Sequence, residues 1–132
     1  MHIHLVAVGQ KMPAWVNAAC DDYLKRLPRE IGCTVKEIPL AKRGKHPDIE
    51  RAKREEGEAI LATIPETCDL VVLDVTGTTL STEQFATELD GWMQNGRDVA
   101  IVIGGPDGFS DAVLQQAQRK ISLSALTFPH PL

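Results

Sequence analysis

The run Gly104-Gly105-Pro106-Asp107-Gly108 holds three glycines in five residues. Glycine lets a chain turn sharply and lets a ligand come close to the backbone. The run leaves the apolar stretch Val99–Ile103 and leads to Ser110, a residue type that caps helices. A helix start at that point would turn free N–H groups towards an anion or a polar ligand edge. The spacing is neither that of a dinucleotide fingerprint nor that of a Walker loop. A tight strand-to-helix turn with no ligand accounts for the same glycines.

Other chemistry-bearing residues are more scattered. Asp74 follows an apolar run and is either a general base or a turn residue. His2 and His4 share one face of an extended segment, but no Cys, Asp or Glu stands near them, so surface histidines are expected rather than a metal site. Cys20, Cys33 and Cys68 match no zinc spacing and are expected to be buried like small apolar residues. No Ser-His-Asp set and no Gly-x-Ser-x-Gly elbow supports hydrolase chemistry. Lys42-Arg43-Gly44-Lys45-His46, with Arg51, Lys53 and Arg54 after it, is the one basic concentration: six Lys or Arg against two acids over residues 42–54. Such a cluster meets phosphates, or it is a solvated loop and helix start. No aromatic residue is interleaved for base stacking.

The whole chain bounds these options. It has 132 residues, 43% apolar and 24% charged, with net charge −4. That is one domain of ordinary globular composition. A generally basic nucleic-acid coat is excluded, a local basic patch is not. The apolar runs are too short to cross a membrane, and the start Met1-His2-Ile3-His4-Leu5 lacks the form of a signal peptide. Three widely spaced cysteines suit a reduced, cytoplasmic protein.

The elements that must position these residues follow from periodicity. His2–Val8 predicts a strand ending at Gly9. After Pro13, Val16, Ala19, Cys20, Tyr23 and Leu27 recur at helical spacing until Pro28. Cys33–Pro39 is a second, weaker strand. Asp48 to Ile64 predicts a charged helix with Ile49, Ala52, Glu56 and Ile60 along one line, stopped by Pro65. Leu70–Val75 is a strand. Ser81 and Gln84 fit a capping box, with Phe85, Leu89 and Trp92 on one face of the helix behind it. Val99–Ile103 is continuously apolar, as a strand covered on both faces would be. A helix from Ser110 to about Lys120 would place Asp111 near its start and Arg119 and Lys120 near its end, as the helix dipole prefers. Ile121–Thr127 predicts a last strand. Strand and helix alternate throughout, which is an α/β fold: three layers around a mainly parallel sheet. Ligands of such sheets bind beyond the carboxyl ends of the strands. The loops to watch are therefore those after Val8, Asp74, Ile103 and Thr127.

These residues resemble a known family. Leu5-Val6-Ala7-Val8-Gly9 with Lys11-Met12-Pro13 resembles its opening, and Ile38-Pro39 with Lys42-Arg43-Gly44-Lys45 its basic loop. Asp98 with Ile103-Gly104-Gly105-Pro106-Asp107-Gly108 resembles its glycine loop, and the run from Ser122 to Leu132 its cofactor segment. The family is the bacterial ribosomal RNA large-subunit methyltransferase H, of the SPOUT class, and the resemblance runs from residue 1 to residue 132. The last two motifs are specific in combination.

The resemblance implies a single SPOUT-like domain over residues 1–132, with a trefoil knot in its C-terminal part, an exception to the rule against threaded chains. It implies a cytoplasmic homodimer that uses S-adenosyl-L-methionine to methylate N3 of a pseudouridine in 23S rRNA on the assembled ribosome. Carried over by position, the cofactor contacts are Leu73, Gly104, Leu123, Ser124, Ala125, Leu126, Thr127 and Phe128, and Lys42, Arg43 and Lys45 meet RNA. No metal and no membrane partner is implied, and no residue is singled out as the catalytic base. At Gly104 a side chain is expected to fill the space where backbone meets ligand, blocking the cofactor with little loss of fold. Family members continue beyond Leu132 with a helix and a polar tail, so the chain is read as C-terminally shortened. Two other readings stay open: a non-catalytic nucleotide- or anion-binding α/β module, and an inactive truncated fragment.

Overall fold

The computed structural model describes residues 1–42, 44 and 48–132. Strands and helices alternate along the chain: β1 (His2–Val8), α1 (Ala14–Lys25), β2 (Gly32–Ile38), α2 (Ile49–Thr63), β3 (Asp69–Thr79), α3 (Thr82–Asn95), β4 (Val99–Ile103), α4 (Asp111–Gln116) and β5 (Arg119–Ser122). The strands form one sheet in the order β2-β1-β4-β3-β5. Every pairing is parallel.

The central strands β1, β4 and β3 are the most apolar, as strands covered on both faces must be. Val6, Val8, Leu70, Val72 and Val102 point into one core with Ile60 of α2 and Val113 of α4. Val71, Val99 and Ile121 point the other way, where Phe85 and Trp92 of α3 cover them. The two rings meet edge to face with centroids 6.1 Å apart, a favoured aromatic geometry. Asp98 ties the sheet together at its amino end. Its carboxylate accepts the His2 backbone N–H at 2.9 Å, and its carbonyl accepts the Asp69 N–H at 3.0 Å.

Side-chain caps set the starts of α2, α3 and α4. Asp48 accepts the Arg51 N–H in front of α2. Ser81 and Gln84 form a reciprocal capping box in front of α3, which ends at Gly96 in the left-handed region (φ 74°).

The C-terminal third departs from the sequence expectation. Helix α4 stops at Gln116, not near Lys120. Ala117 is extended, and Gln118 locks onto β3: its backbone N–H donates to the Leu70 carbonyl at 2.9 Å, and its side-chain oxygen accepts the Leu70 N–H at 2.6 Å. This pair of hydrogen bonds draws the chain into the sheet two residues early. Arg119 and Lys120 therefore belong to β5 and serve no helix dipole. Arg119 instead pairs with Glu88 of α3 at 2.8 Å.

Strand β5 then ends at Ser122, not Thr127. The Ser122 hydroxyl donates to the Ser124 carbonyl at 2.9 Å, and the Ser124 hydroxyl accepts the Leu126 N–H at 3.0 Å. Local serine bonds of this kind compete with a strand ladder. Strand β3 runs four residues past Val75, and its register on β5 shifts between Leu73 and Thr78. At Gly77 a Cβ would stand 2.7 Å from backbone atoms of Lys120 and Ile121, so only glycine lets β3 and β5 approach there.

Candidate functional site at the carboxyl edge of the sheet

Five parallel strands bring their carboxyl ends to one edge. At the end of β1, Gly9 is in the positive-φ region (131°) and its N–H donates to the Ile38 carbonyl at 2.7 Å. At the edge of β3, the Asp74 carboxylate accepts the Thr76 backbone N–H at 3.1 Å and also the Thr76 hydroxyl. This is an Asx-type turn. Of the two readings of Asp74, the turn is the one its bonds support.

The glycine loop after β4 is a closed turn. Gly105 and Gly108 form a bridge, with the Gly108 N–H donating to the Gly105 carbonyl at 3.1 Å and Gly108 at φ 82°. The turn delivers Phe109 to the core and Ser110 to the start of α4. There the Ser110 hydroxyl faces the Val113 N–H at 3.5 Å. This cap takes one of the free N–H groups at the start of α4, a helix of only six residues. At Gly104 a Cβ would stand 3.1 Å from the buried Phe109 ring, so a side chain there meets the core.

Beyond Ser122 the chain folds back across the strand ends. His130 fastens this segment, its Nε2–H donating to the Val8 carbonyl at 2.7 Å. Its ring also packs over Gly9, where a Cβ would come within 3.3 Å of Nε2. The Leu132 N–H closes the last turn on the Pro129 carbonyl at 3.0 Å. His130 is thus a fastener between two prolines.

These loops enclose a cleft of about 630 Å³, within the ordinary size range of ligand sites. Leu73 and Gly104 line it, together with Leu123, Ser124, Leu126, Thr127 and Phe128. Ala125 is exposed and lies outside the lining. The lining also includes Lys53 of the basic concentration, Asp107 of the glycine loop, and Thr76. Thr76 reaches it through the irregular end of β3, which no sequence pattern shows.

The lining fits an adenosyl group with a sulfonium. Leu123, Leu126 and Phe128 are large apolar side chains left exposed on one short segment, as a flat ring would need for walls. Asp74 and Asp107 bring acidic groups to a site that would hold a cation. Of the basic segment, Lys42 is exposed in the connection between β2 and α2, while Arg43 and Lys45 lie outside the described residues.

The remaining candidates resolve simply. His2 Nε2 bonds the Thr34 hydroxyl at 2.7 Å, and its ring packs on His4. Among the described residues no group of three or more His, Cys, Asp or Glu is placed to hold a metal. No described helix is long and apolar enough to cross a membrane. Cys68 is buried and Cys33 half-buried, but Cys20 is exposed on the outer side of α1, against the expectation for all three. Burial pushes the Cys33 and Cys68 thiols up, and the nearby Asp98 carboxylate adds to the effect at Cys68. Both therefore stay protonated and inert near neutral pH.

Comparison with known proteins agrees along the whole chain. The family described as "Predicted SPOUT methyltransferase" matches residues 1–132. The ribosomal RNA large subunit methyltransferase H of Thioalkalivibrio sulfidiphilus (strain HL-EbGR7) is 51% identical over 132 residues, covering 100% of this chain and 85% of the relative. The protein of the same name from Hydrogenovibrio crunogenus (strain DSM 25203 / XCL-2) is 48% identical over 134 residues, with the same coverage. That of Methylococcus capsulatus (strain ATCC 33009 / NCIMB 11132 / Bath) is 46% identical over 132 residues, again covering 85% of the relative.

Proposed function

The chain belongs to the SPOUT methyltransferase family, and from that premise we propose that it methylates ribosomal RNA with S-adenosyl-L-methionine bound in the cleft at the carboxyl edge of the sheet. The target is N3 of a pseudouridine in 23S rRNA, reached on the assembled ribosome in the cytoplasm. Residues 1–132 act as one methyltransferase domain with the knotted topology of the family.

The observation that carries this reading is the convergence of Leu73, Gly104 and the Leu123–Phe128 segment on one cleft. Leu73 is the last residue of β3 to pair with β4, opposite Ile103, and Gly104 follows directly after β4. The segment after β5 is held across them by His130 on the end of β1. The chain's own part in the reaction is therefore positioning, which can supply much of a transfer barrier. Leu123, Leu126 and Phe128 hold an adenine ring, and the glycine-loop and segment amides read its edge. The bound cofactor supplies an electrophilic methyl on its sulfonium. Lys42, Arg43 and Lys45 meet RNA phosphates.

A homodimer is part of the same proposal. The outer side of α1 presents Trp15, Cys20, Tyr23 and Leu27 around an apolar groove of about 420 Å³, whose lining also includes Leu5, Val35 and Leu132. Only Val16 of α1 is buried. The apolar line read from the sequence thus lies largely on the surface. A contiguous exposed apolar face of this kind marks an interaction surface.

Calorimetric titration of the full-length protein with S-adenosylhomocysteine tests the reading. Saturable binding of one molecule per chain is expected, together with methyl transfer to ribosomes whose pseudouridine is unmethylated, detected by mass spectrometry of the rRNA fragment. A protein that binds no S-adenosylhomocysteine refutes it in favour of a module with another ligand.

A further inference from the structure

Glu56 is a buried carboxyl that the proposed reaction has not used. It stands on the apolar line of α2 between Ala52 and Ile60, and is only 3% exposed. A carboxyl in such a place is costly unless polar groups meet it. One of its oxygens, Oε2, accepts the Ala41 backbone N–H at 3.0 Å. Ala41 immediately precedes Lys42, so this bond fixes the backbone where the basic segment sets out from β2.

The other oxygen faces the glycine loop. A Cβ on Gly105 would stand 2.9 Å from Oε1 and 3.2 Å from Val8 Cγ1. The loop that floors the cleft therefore packs against the same side chain. Gly57, next in sequence, brings α2 just as close to Ser110 at the far end of that loop. A single carboxyl on one rigid helix thus touches both the basic loop and the cofactor loop.

We propose that Glu56 is a positioning residue that sets the RNA-binding loop in register with the cofactor loop, so that a docked rRNA presents its base over the cleft. The proposal rests on the function proposed above. It does not make Glu56 a reacting group, since it lies beneath the loops and outside the cleft's lining.

The test compares the full-length wild type with Glu56→Ala and Glu56→Gln. Three quantities are read: KM and kcat for unmethylated ribosomes, Kd for S-adenosylhomocysteine, and hydrogen exchange at the Ala41 amide. Glu56→Ala is expected to raise the ribosome KM by about tenfold or more, the scale of one lost buried hydrogen bond, while the S-adenosylhomocysteine Kd moves by less than about threefold, within the scatter of such effects. Glu56→Gln keeps an oxygen for the Ala41 N–H and is expected to recover most of the loss.

A ribosome KM unchanged in Glu56→Ala overturns the positioning role and leaves the methyltransferase reading standing. So does a fall in melting temperature that Glu56→Gln fails to restore while KM stays at the wild-type value. Where Glu56→Ala does not fold, exchange decides: the Ala41 amide is expected to be protected in wild type and in Glu56→Gln, and free exchange in wild type overturns the proposal. A wild type that neither binds S-adenosylhomocysteine nor methylates ribosomes overturns both readings together.

Discussion

A Cβ on Gly104 would meet Cζ, Cε1 and Cε2 of Phe109 at 3.1 to 3.2 Å, and that ring is 5% exposed in the main core. The expected outcome of Gly104→Val changes accordingly. A branched side chain there overpacks the core, which typically costs about 1–3 kcal/mol. Urea unfolding of the variant is expected to show that loss together with weakened S-adenosylhomocysteine binding, because the displaced Phe109 carries the loop with it. A variant as stable as wild type would mean that the ring has somewhere to go. The sequence identifies the glycine loop correctly, since glycine spacing is a local property. It does not tell whether a missing side chain makes room for a ligand or for a neighbour, because Phe109 reaches Gly104 only through the closed Gly105–Gly108 turn. Glu56 shows the reverse case. Its place on the apolar line of α2 was legible from spacing alone, and the two loops it touches were not.

At the scale of elements, legibility follows how local the forces are. Strands β1 and β4 have the bounds their apolar runs predict, and α3 and α4 begin behind the serine caps their residues predict. The end of α4 and the start of β5 depart from expectation, because a long-range pair of bonds between Gln118 and Leu70 decides where one stops and the other starts. Helix α1 has the predicted extent, but its apolar residues face outward. Tyr23 is 67% exposed and is contacted by the Arg26 guanidinium 5.2 Å above its ring. Placing a charge at such a position changes monomer stability little, typically within about 0.5 kcal/mol for surface sites. If this face forms the homodimer, Tyr23→Glu is expected to shift sedimentation from dimer to monomer while leaving the circular-dichroism spectrum unchanged. A variant that sediments as wild type does would place the dimer contact on another face.

For the molecule as a whole, the proposed function raises an electrostatic problem: a chain of net charge −4 has to approach strongly anionic rRNA. The average field opposes the encounter. Attraction therefore has to come from a local concentration of cations, and the segment at residues 42–54 is where the sequence supplies one. Its first residue, Lys42, is exposed and is anchored one residue upstream by the bond from Ala41 to Glu56, so its charge is presented from a fixed point of the backbone. Each phosphate contact contributes about 0.7–0.9 to the slope of log affinity against log salt. The double variant Lys42→Glu/Arg43→Glu, losing two such contacts, is expected to lower the slope of ribosome log KM against log salt by about 1.4–1.8. It is also expected to raise KM at low salt. The same variant should bind S-adenosylhomocysteine as wild type does, because Lys42 is exposed and does not line the described cleft. An unchanged KM and salt slope would remove the basic loop from RNA recognition. Docking would then have to depend on shape and on cations elsewhere in the protein. A loss of cofactor affinity would instead mean that the basic loop also shapes the cleft, through the Glu56 contact that joins it to the glycine loop.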